Sequence, residues 1–184
     1  SVEDELRKVI KENEDVLREV EERVETVIKR NREVIEEVAR EVERVIEETR
    51  RLLKEIEKAG VDEDELRKVE ERVRKHAEEL RKILEDLRRS SRKLAEEARD
   101  ILRDLKRTSD ELRKEAEKVT KDGDSEESIK RLLEKIRKHS EEVKETIRRL
   151  LEKIEEHTER VKREIDKMLR SNEDLMRRIK EEAE

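Results

Sequence analysis

Three histidines and three asparagines are the residues of this 184-residue chain whose types could support chemistry. Histidine changes its charge near neutral pH and is a frequent metal ligand and general base. Asparagine offers both hydrogen-bond donors and an acceptor in one side chain. Asn13 and Asn31 are separated by the same number of positions as His139 and His157. This regular interval indicates that the polar residues belong to the same repeating pattern as the apolar residues around them.

The polar residues fall into three layers if the chain folds as three helices that run up, down and up. Residues at the same level of two antiparallel neighbours keep a nearly constant sum of residue numbers, and this rule groups the polar positions. The predicted layers are Asn13 with Thr108, Ser109, His139 and Ser140; Asn31 with Ser90, Ser91, His157 and Thr158; and Thr49 with His76 and Asn172. Each layer holds one His, one Asn and at least one hydroxyl. We therefore predict buried hydrogen-bonded networks that fix the register of the helices.

Metal binding and catalysis are weaker interpretations of the same residues. His139 and His157 would lie about 27 Å apart along one helix, and the chain has no cysteine ligand. A catalytic use of His139 would need an orienting carboxylate, an oxyanion hole and a cleft. A filled three-helix interior leaves no room for a substrate. We expect no metal, no cofactor and no enzymatic activity.

Two glycines divide the chain into the elements that must position these layers. Gly60 and Gly123 each lie between long periodic stretches, where glycine commonly ends a helix with a positive φ. The spacing predicts helices over residues 2–59, 62–121 and 125–183. Connections this short make neighbouring helices antiparallel. The sequence predicts an all-α, up-down-up three-helix bundle that forms a single domain over residues 1–184.

Capping residues support these boundaries. Asp62, with Glu65 three residues later, has the spacing of a capping box, and Asp124 precedes Glu127 in the same way. Ser1 is the predicted cap of the first helix. These side chains accept hydrogen bonds from the free N–H groups of a first helical turn.

The apolar residues of each helix recur every 18 residues, which is also the interval between the polar residues. The repeated slots include Leu6, Val24 and Val42 in the first helix, Leu66, Leu84 and Leu102 in the second, and Leu133, Leu151 and Leu169 in the third. Eighteen residues make five turns at 3.6 residues per turn, so the apolar seam predicts nearly straight helices. Each seam spans about 120°, enough to face two neighbours and little more. We therefore expect a monomer, although self-association is possible.

The composition excludes several classes of partner. Charged residues make up 58% of the chain and aromatic residues 0%, with a formal net charge of −6. Nucleic-acid binding would favour a basic face with stacking aromatics, whereas acidic and basic residues here alternate at helical spacing. No apolar run reaches the roughly 18 residues of a membrane span. We expect a soluble protein with no native location, cytoplasmic when expressed recombinantly, that requires no partner, nucleic acid or membrane.

These features together resemble de novo designed, parametrically built helical bundles with buried hydrogen-bond networks. The resemblance rests on the repeating seams of Leu6, Val24 and Val42, on layers such as Asn13, Ser109 and His139, and on the two glycine turns. It implies high stability and no natural biochemical function, with the chain serving as a structural scaffold. The alternative it leaves open is a pH-responsive or helix-displacement switch that uses the buried histidines.

Overall fold

Three long helices make up the computed structural model, which describes residues 1–183. They are α1 (Val2–Lys58), α2 (Glu63–Asp122) and α3 (Glu126–Ala183). All pairs of helices are in contact, which confirms the predicted all-α three-helix bundle. The helix boundaries differ by at most one position from those predicted from the glycines and the apolar seams. Within residues 1–183, none of the helices contains an apolar stretch that could span a membrane.

Both turns depend on a glycine with a positive φ. Gly60 has φ 80° and Gly123 has φ 64°, as the sequence predicts. The second turn is a Schellman motif, because the Asp124 N–H donates to the Val119 carbonyl at 3.2 Å and the Gly123 N–H donates to the Thr120 carbonyl at 3.4 Å. These two hydrogen bonds satisfy carbonyls that the end of α2 would otherwise leave free.

The cap of α3 differs from the prediction. The Asp4 N–H of α1 donates to Ser1 Oγ at 3.2 Å, so the predicted cap of the first helix is confirmed. In α3, however, the Ser128 N–H donates to Ser125 Oγ at 3.3 Å. Ser125 is therefore the cap, and the prediction of Asp124 was wrong by one position. Asp124 instead takes part, through its own N–H, in ending α2.

The chain divides into two compact units, each built from parts of all three helices. The first consists of Ser1–Lys29 and Lys93–Glu155, and the second of Arg30–Arg92 and Glu156–Glu184. The prediction that residues 1–184 form a single domain, and that this domain is monomeric, stays a prediction.

The apolar seams form the core of each unit. In the first unit, Val24 packs with Ala98 and Val143, all three of them fully buried. In the second unit, Val42 and Val161 belong to one cluster. No large hydrophobic side chain is exposed among the described residues. The predicted seam therefore lies inside, and charged residues cover the outside.

Ion pairs show that α2 runs antiparallel to α1. In the second unit, the Arg81 guanidinium lies 3.2 Å from Glu43, and that of Arg88 lies 3.9 Å from Glu36. Residue numbers therefore rise along α2 as they fall along α1. The hydrogen bond from Arg81 holds the pKa of the Glu43 carboxyl below its usual range.

Ion pairs relate α2 to α3 in the same antiparallel way. In the first unit, Lys135 Nζ lies 3.7 Å from Glu115, and Lys153 Nζ lies 3.0 Å from Glu97. Exposed pairs of this kind contribute at most about 1 kcal/mol each. They cover the surface of the bundle and add little to what its interior contributes.

Replacing Gly60 with Val should destabilise the protein by about 1–3 kcal/mol, because a β-branched residue is strained at this φ. A Cβ at Gly60 would meet no atom within 4 Å, so the cost arises from the backbone rather than from a clash. Chemical denaturation followed by circular dichroism measures it. Glu37→Val, at an exposed helical site, is the control and should cost well under about 1 kcal/mol. Equal losses at the two sites would contradict the role of the positive φ.

Candidate functional site

The predicted network around Asn31 forms in the second unit and joins all three helices. Asn31 lies on α1 and is only 4% exposed. Its Nδ2 donates to Thr158 Oγ1 of α3 at 2.8 Å and contacts His157 Nδ1 at 3.2 Å. Its Oδ1 accepts a hydrogen bond from the Ser91 hydroxyl of α2. Both ends of this buried amide are therefore satisfied by the two neighbouring helices.

The hydrogen bond from Asn31 determines the protonation state of His157. An amide NH₂ group only donates, so His157 Nδ1 must accept and cannot carry a hydrogen. The ring is therefore neutral with its hydrogen on Nε2. This Nε2 atom is buried and has no hydrogen-bond partner among the described residues. Burial lowers the pKa of His157, and the positive charge of Arg160 lowers it further.

The layer of Thr49 and Asn172 also forms in the second unit. The Thr49 hydroxyl donates to Asn172 Oδ1 of α3 at 3.0 Å and shares this hydrogen with the Val45 carbonyl oxygen of its own helix, which lies 2.9 Å away. Asn172 Nδ2 donates to the sulfur of Met176 at 3.4 Å. The layer thus links α1 with α3, and it uses a methionine that the sequence pattern did not indicate.

His76 is the least satisfied member of this layer. It is half-buried on α2, and its Nε2 atom is buried with no hydrogen-bond partner in the described part of the chain. Burial lowers the pKa of His76, while the Glu79 carboxylate and a hydrogen bond with Asn172 raise it in partial compensation. His76 therefore lies next to Asn172, the α3 member of the layer.

The layer predicted around Asn13 forms only in part, as two separate pairs. In the first unit, Asn13 Nδ2 of α1 donates to Ser140 Oγ of α3 at 2.7 Å. His139 Nε2 lies 2.9 Å from Ser109 Oγ of α2 and 3.2 Å from the Leu105 carbonyl oxygen. The first pair joins α1 with α3, and the second joins α3 with α2. Open space takes the place of the expected link between Asn13 and Ser109.

The pair of His139 and Ser109 resembles a base and a nucleophile in distance only. A backbone carbonyl oxygen can only accept, so the contact with Leu105 requires the hydrogen of His139 to lie on Nε2. The ring nitrogen that faces Ser109 is then a donor, and it cannot take the proton from the Ser109 hydroxyl. This arrangement holds two helices together but does not activate a nucleophile.

Ser90 and Thr108 do not belong to the buried layers, and their predicted place there is wrong. Both are exposed. Each immediately precedes a layer residue, and one step along a helix turns a side chain by about 100°, which carries it out of the seam. The Thr108 hydroxyl instead donates to the Asp104 carbonyl of its own helix at 3.2 Å.

A cavity of about 260 Å³ lies beside Asn13 in the first unit and is partly open to solvent. Sequence reasoning predicted a filled interior and missed it. The lining residues are Ile10, Asn13, Glu14, Leu17, Arg18, Ser109, Asp110, Leu112, Arg113 and Ile136. The available signal was the small Ser109 in a seam slot opposite Asn13, which leaves volume that a leucine would occupy.

No group of three or more His, Cys, Asp or Glu side chains within residues 1–183 could hold a metal ion. The three histidines lie in different layers, each with its own Asn or Ser neighbours. The geometry therefore offers hydrogen bonds between helices rather than a shared ligand set.

Replacing Ser91 with Ala should destabilise the protein by about 1–3 kcal/mol more than replacing Ser90 with Ala, because only Ser91→Ala leaves the buried Asn31 Oδ1 without a donor. The two serines are adjacent in α2, so the gain in helix propensity is the same in both variants and cancels. Guanidinium denaturation followed by circular dichroism measures the difference. Equal midpoints for the two variants would contradict the Asn31 network.

The guanidinium midpoint should fall as pH decreases from about 7.5 to about 5.0, because burial lowers the pKa values of His76 and His157 in the folded protein. The unfolded chain takes up protons first, at about pH 6.5. The contribution of the two rings to stability is complete above this pH, declines as pH falls through it, and levels off below the folded-state pKa values. The double variant His76→Gln, His157→Gln should show a much flatter profile. A flat profile for the unaltered protein would mean that these rings are solvated.

Comparison with known proteins gave a family match. No curated protein and no solved structure matches the chain. Residues 35–134 match the model of a family described as G protein-coupled receptor kinase-interacting protein 1 C term. The matched segment begins in α1, includes all of α2 and ends in the first part of α3. Since it covers more than half of the 184 residues, the chain belongs to this family by that match.

Proposed function

We propose that the chain is a structural scaffold of designed sequence, without a natural biochemical function, whose helix register is set by buried polar layers. The observation that carries this proposal is the Asn31 network. One buried amide on α1 is satisfied by Ser91 of α2 and by His157 and Thr158 of α3. Sliding any one helix by a turn would leave these groups facing apolar side chains.

The composition and the periodicity support a designed origin. The chain has no aromatic residue, no Pro and no Cys, although average usage would give roughly nine prolines in this length. The apolar seam keeps one interval in all three helices, and an idealised geometry of this kind is typical of parametric design.

Family membership does not assign a partner to this chain. The interaction with a receptor kinase belongs to the protein for which the family is named. A designed amphipathic helix can fit a natural family's pattern of charged and apolar residues. Such a match does not assign a function, because proteins that share a fold can differ in function. The matched segment contains Ser91 but neither Asn31 nor His157. The proposal therefore rests on hydrogen bonds that reach beyond the match.

A pH-responsive switch is the second candidate function. It is favoured by the two imidazole Nε2 atoms, of His76 and His157, that are buried without a partner in the described residues. Protonation would charge two rings whose Nε2 atoms are buried, and desolvation of these charges would weaken the folded state. The scaffold is the better supported function, because the layers also join helices through amide and hydroxyl groups that do not titrate in this range.

The scaffold proposal predicts that Asn31→Leu alone destabilises by about 1–3 kcal/mol, whereas the triple variant Asn31→Leu, Ser91→Ala, His157→Leu recovers this loss or exceeds it. The single replacement leaves the buried Ser91 and His157 groups without the Asn31 amide, while the triple replacement removes these two polar groups together with it. Guanidinium midpoints measure both effects.

Register is measured separately, with spin labels on the exposed sites Glu47→Cys of α1 and Glu173→Cys of α3. With the network intact, we expect one narrow distance distribution. In the triple variant, we expect a second population displaced by about one helical turn, or 5.4 Å. An unchanged single distribution in the triple variant would show that the turns alone set the register, and the proposal would fail. Loss of helicity at about pH 5 without denaturant would instead favour the switch, because the histidines are then charged.

A further inference from the structure

The cavity beside Asn13 differs from the equivalent place in the Asn31 layer. Both layers contain an Asn on α1 and a Ser on α2, in corresponding slots of the repeat. In the second unit, the Ser91 hydroxyl donates to Asn31 Oδ1 and closes the space. In the first unit, Asn13 donates to Ser140, while Ser109 is bonded to a histidine of α3. The space between the asparagine and the serine stays open there.

The polar atoms on the two sides of this space have complementary roles. Asn13 Oδ1 is an acceptor with no hydrogen-bond partner among residues 1–183, since the side chain is bonded through Nδ2. Ser109 Oγ accepts the hydrogen of His139 Nε2, which leaves the Ser109 hydroxyl hydrogen to donate. A single hydroxyl group placed between them would donate to Asn13 and accept from Ser109.

The remaining lining residues determine what the rest of a bound molecule, apart from its hydroxyl group, must be. Ile10, Leu17, Leu112 and Ile136 supply an apolar surface. The volume of about 260 Å³ exceeds the roughly 150 Å³ that suffices for a six-membered ring in an apolar cavity.

The charges at the rim balance one another. Arg113 lies 3.6 Å from Glu14 and 3.7 Å from Asp110, and Arg18 supplies a second positive charge. Two acidic and two basic side chains give no net field that would attract an ion. A neutral guest therefore fits best.

We propose that the cavity between α1 and α2 of the first unit binds a small neutral molecule with one hydroxyl group and a compact apolar body, of which phenol is the simplest aromatic example. The hydroxyl group of the bound molecule donates to Asn13 and accepts from Ser109. It supplies the link that the Ser91 hydroxyl makes directly to Asn31 in the second unit. This site goes beyond the scaffold function and does not depend on it.

Phenol and benzene are the probes, and NMR of ¹³C-labelled methyl groups is the measurement. The chain has no aromatic residue, so large ring-current shifts at its methyl groups come from the probe. We expect saturable shifts at the cavity methyls of Ile10, Leu17 and Ile136, with a dissociation constant on the order of 1 mM, a value usual for a fragment of this size. Ile35 and Ile46, buried in the second unit, are the reference methyls and should not shift.

Two variants and one control separate the site from its alternatives. Ser109→Val, which fills the cavity, should weaken phenol binding at least about tenfold, whereas Ser91→Val at the closed layer should not. Benzene should bind the unaltered protein about tenfold more weakly than phenol, as expected for loss of one well-placed hydrogen bond. Asn13→Ala should bring the two affinities together while both probes still bind. Circular dichroism verifies that each variant is folded.

Several results would overturn the proposal. If the cavity methyls show no saturable shift, the cavity holds water only. If benzene and phenol bind the unaltered protein equally, the hydroxyl bridge is wrong. If Ser109→Val leaves the phenol affinity unchanged, or Ser91→Val weakens it as much, the probe binds elsewhere.

Discussion

The requirement that a buried primary amide be satisfied at both ends determines the arrangement around Asn31. The amide has two hydrogens to donate and an oxygen that accepts, and each group left unpaired in an apolar interior costs about 1–3 kcal/mol. Asn31 meets this requirement only because α2 presents Ser91 and α3 presents His157 and Thr158 at the same level. Three helices, rather than two, are therefore fixed against one another by one side chain.

The same residue types reach a different solution around Asn13. There the amide donates to Ser140, and its oxygen is left beside a cavity that is partly open to solvent. An acceptor that reaches solvent avoids most of the penalty of burial, so the open layer can persist. The two layers show that sequence repetition sets which groups lie together, while the side-chain geometry decides which of them bond.

Much of the fold was predictable because it depends on local, periodic properties. The apolar repeat placed Val24 and Val42 inside, and the two glycines marked both turns. The level of each polar layer followed from residue numbers, since helices joined by short turns must be antiparallel. The exposure of Ser90 and Thr108 did not follow from adjacency to a layer residue alone, because Thr158 also adjoins a layer residue and is buried.

Other features depend on details that no residue pattern contains. Ser125 rather than Asp124 caps α3, because the Ser128 N–H donates to Ser125 Oγ, while Asp124 takes part in ending α2 through its N–H. The tautomers of His139 and His157 follow from which partner, a carbonyl or an amide NH₂, faces each ring. The cavity results from the joint packing of three helices around Ser109. The pattern of residues along any one helix does not determine the volume of a cavity that all three helices line.

The unpartnered Nε2 of His157 is consistent with a network that sets register, once the penalties are compared. The native arrangement leaves one ring N–H without a partner among the described residues, at a cost of about 1–3 kcal/mol. A slip of one turn would add the Asn31 oxygen, its NH₂ group, the Ser91 hydroxyl and His157 Nδ1 to the unsatisfied groups. The free-energy cost of four further unsatisfied groups exceeds the stabilisation that exposed ion pairs could contribute in the shifted register. The network thus tolerates one unsatisfied atom because every competing register leaves several more.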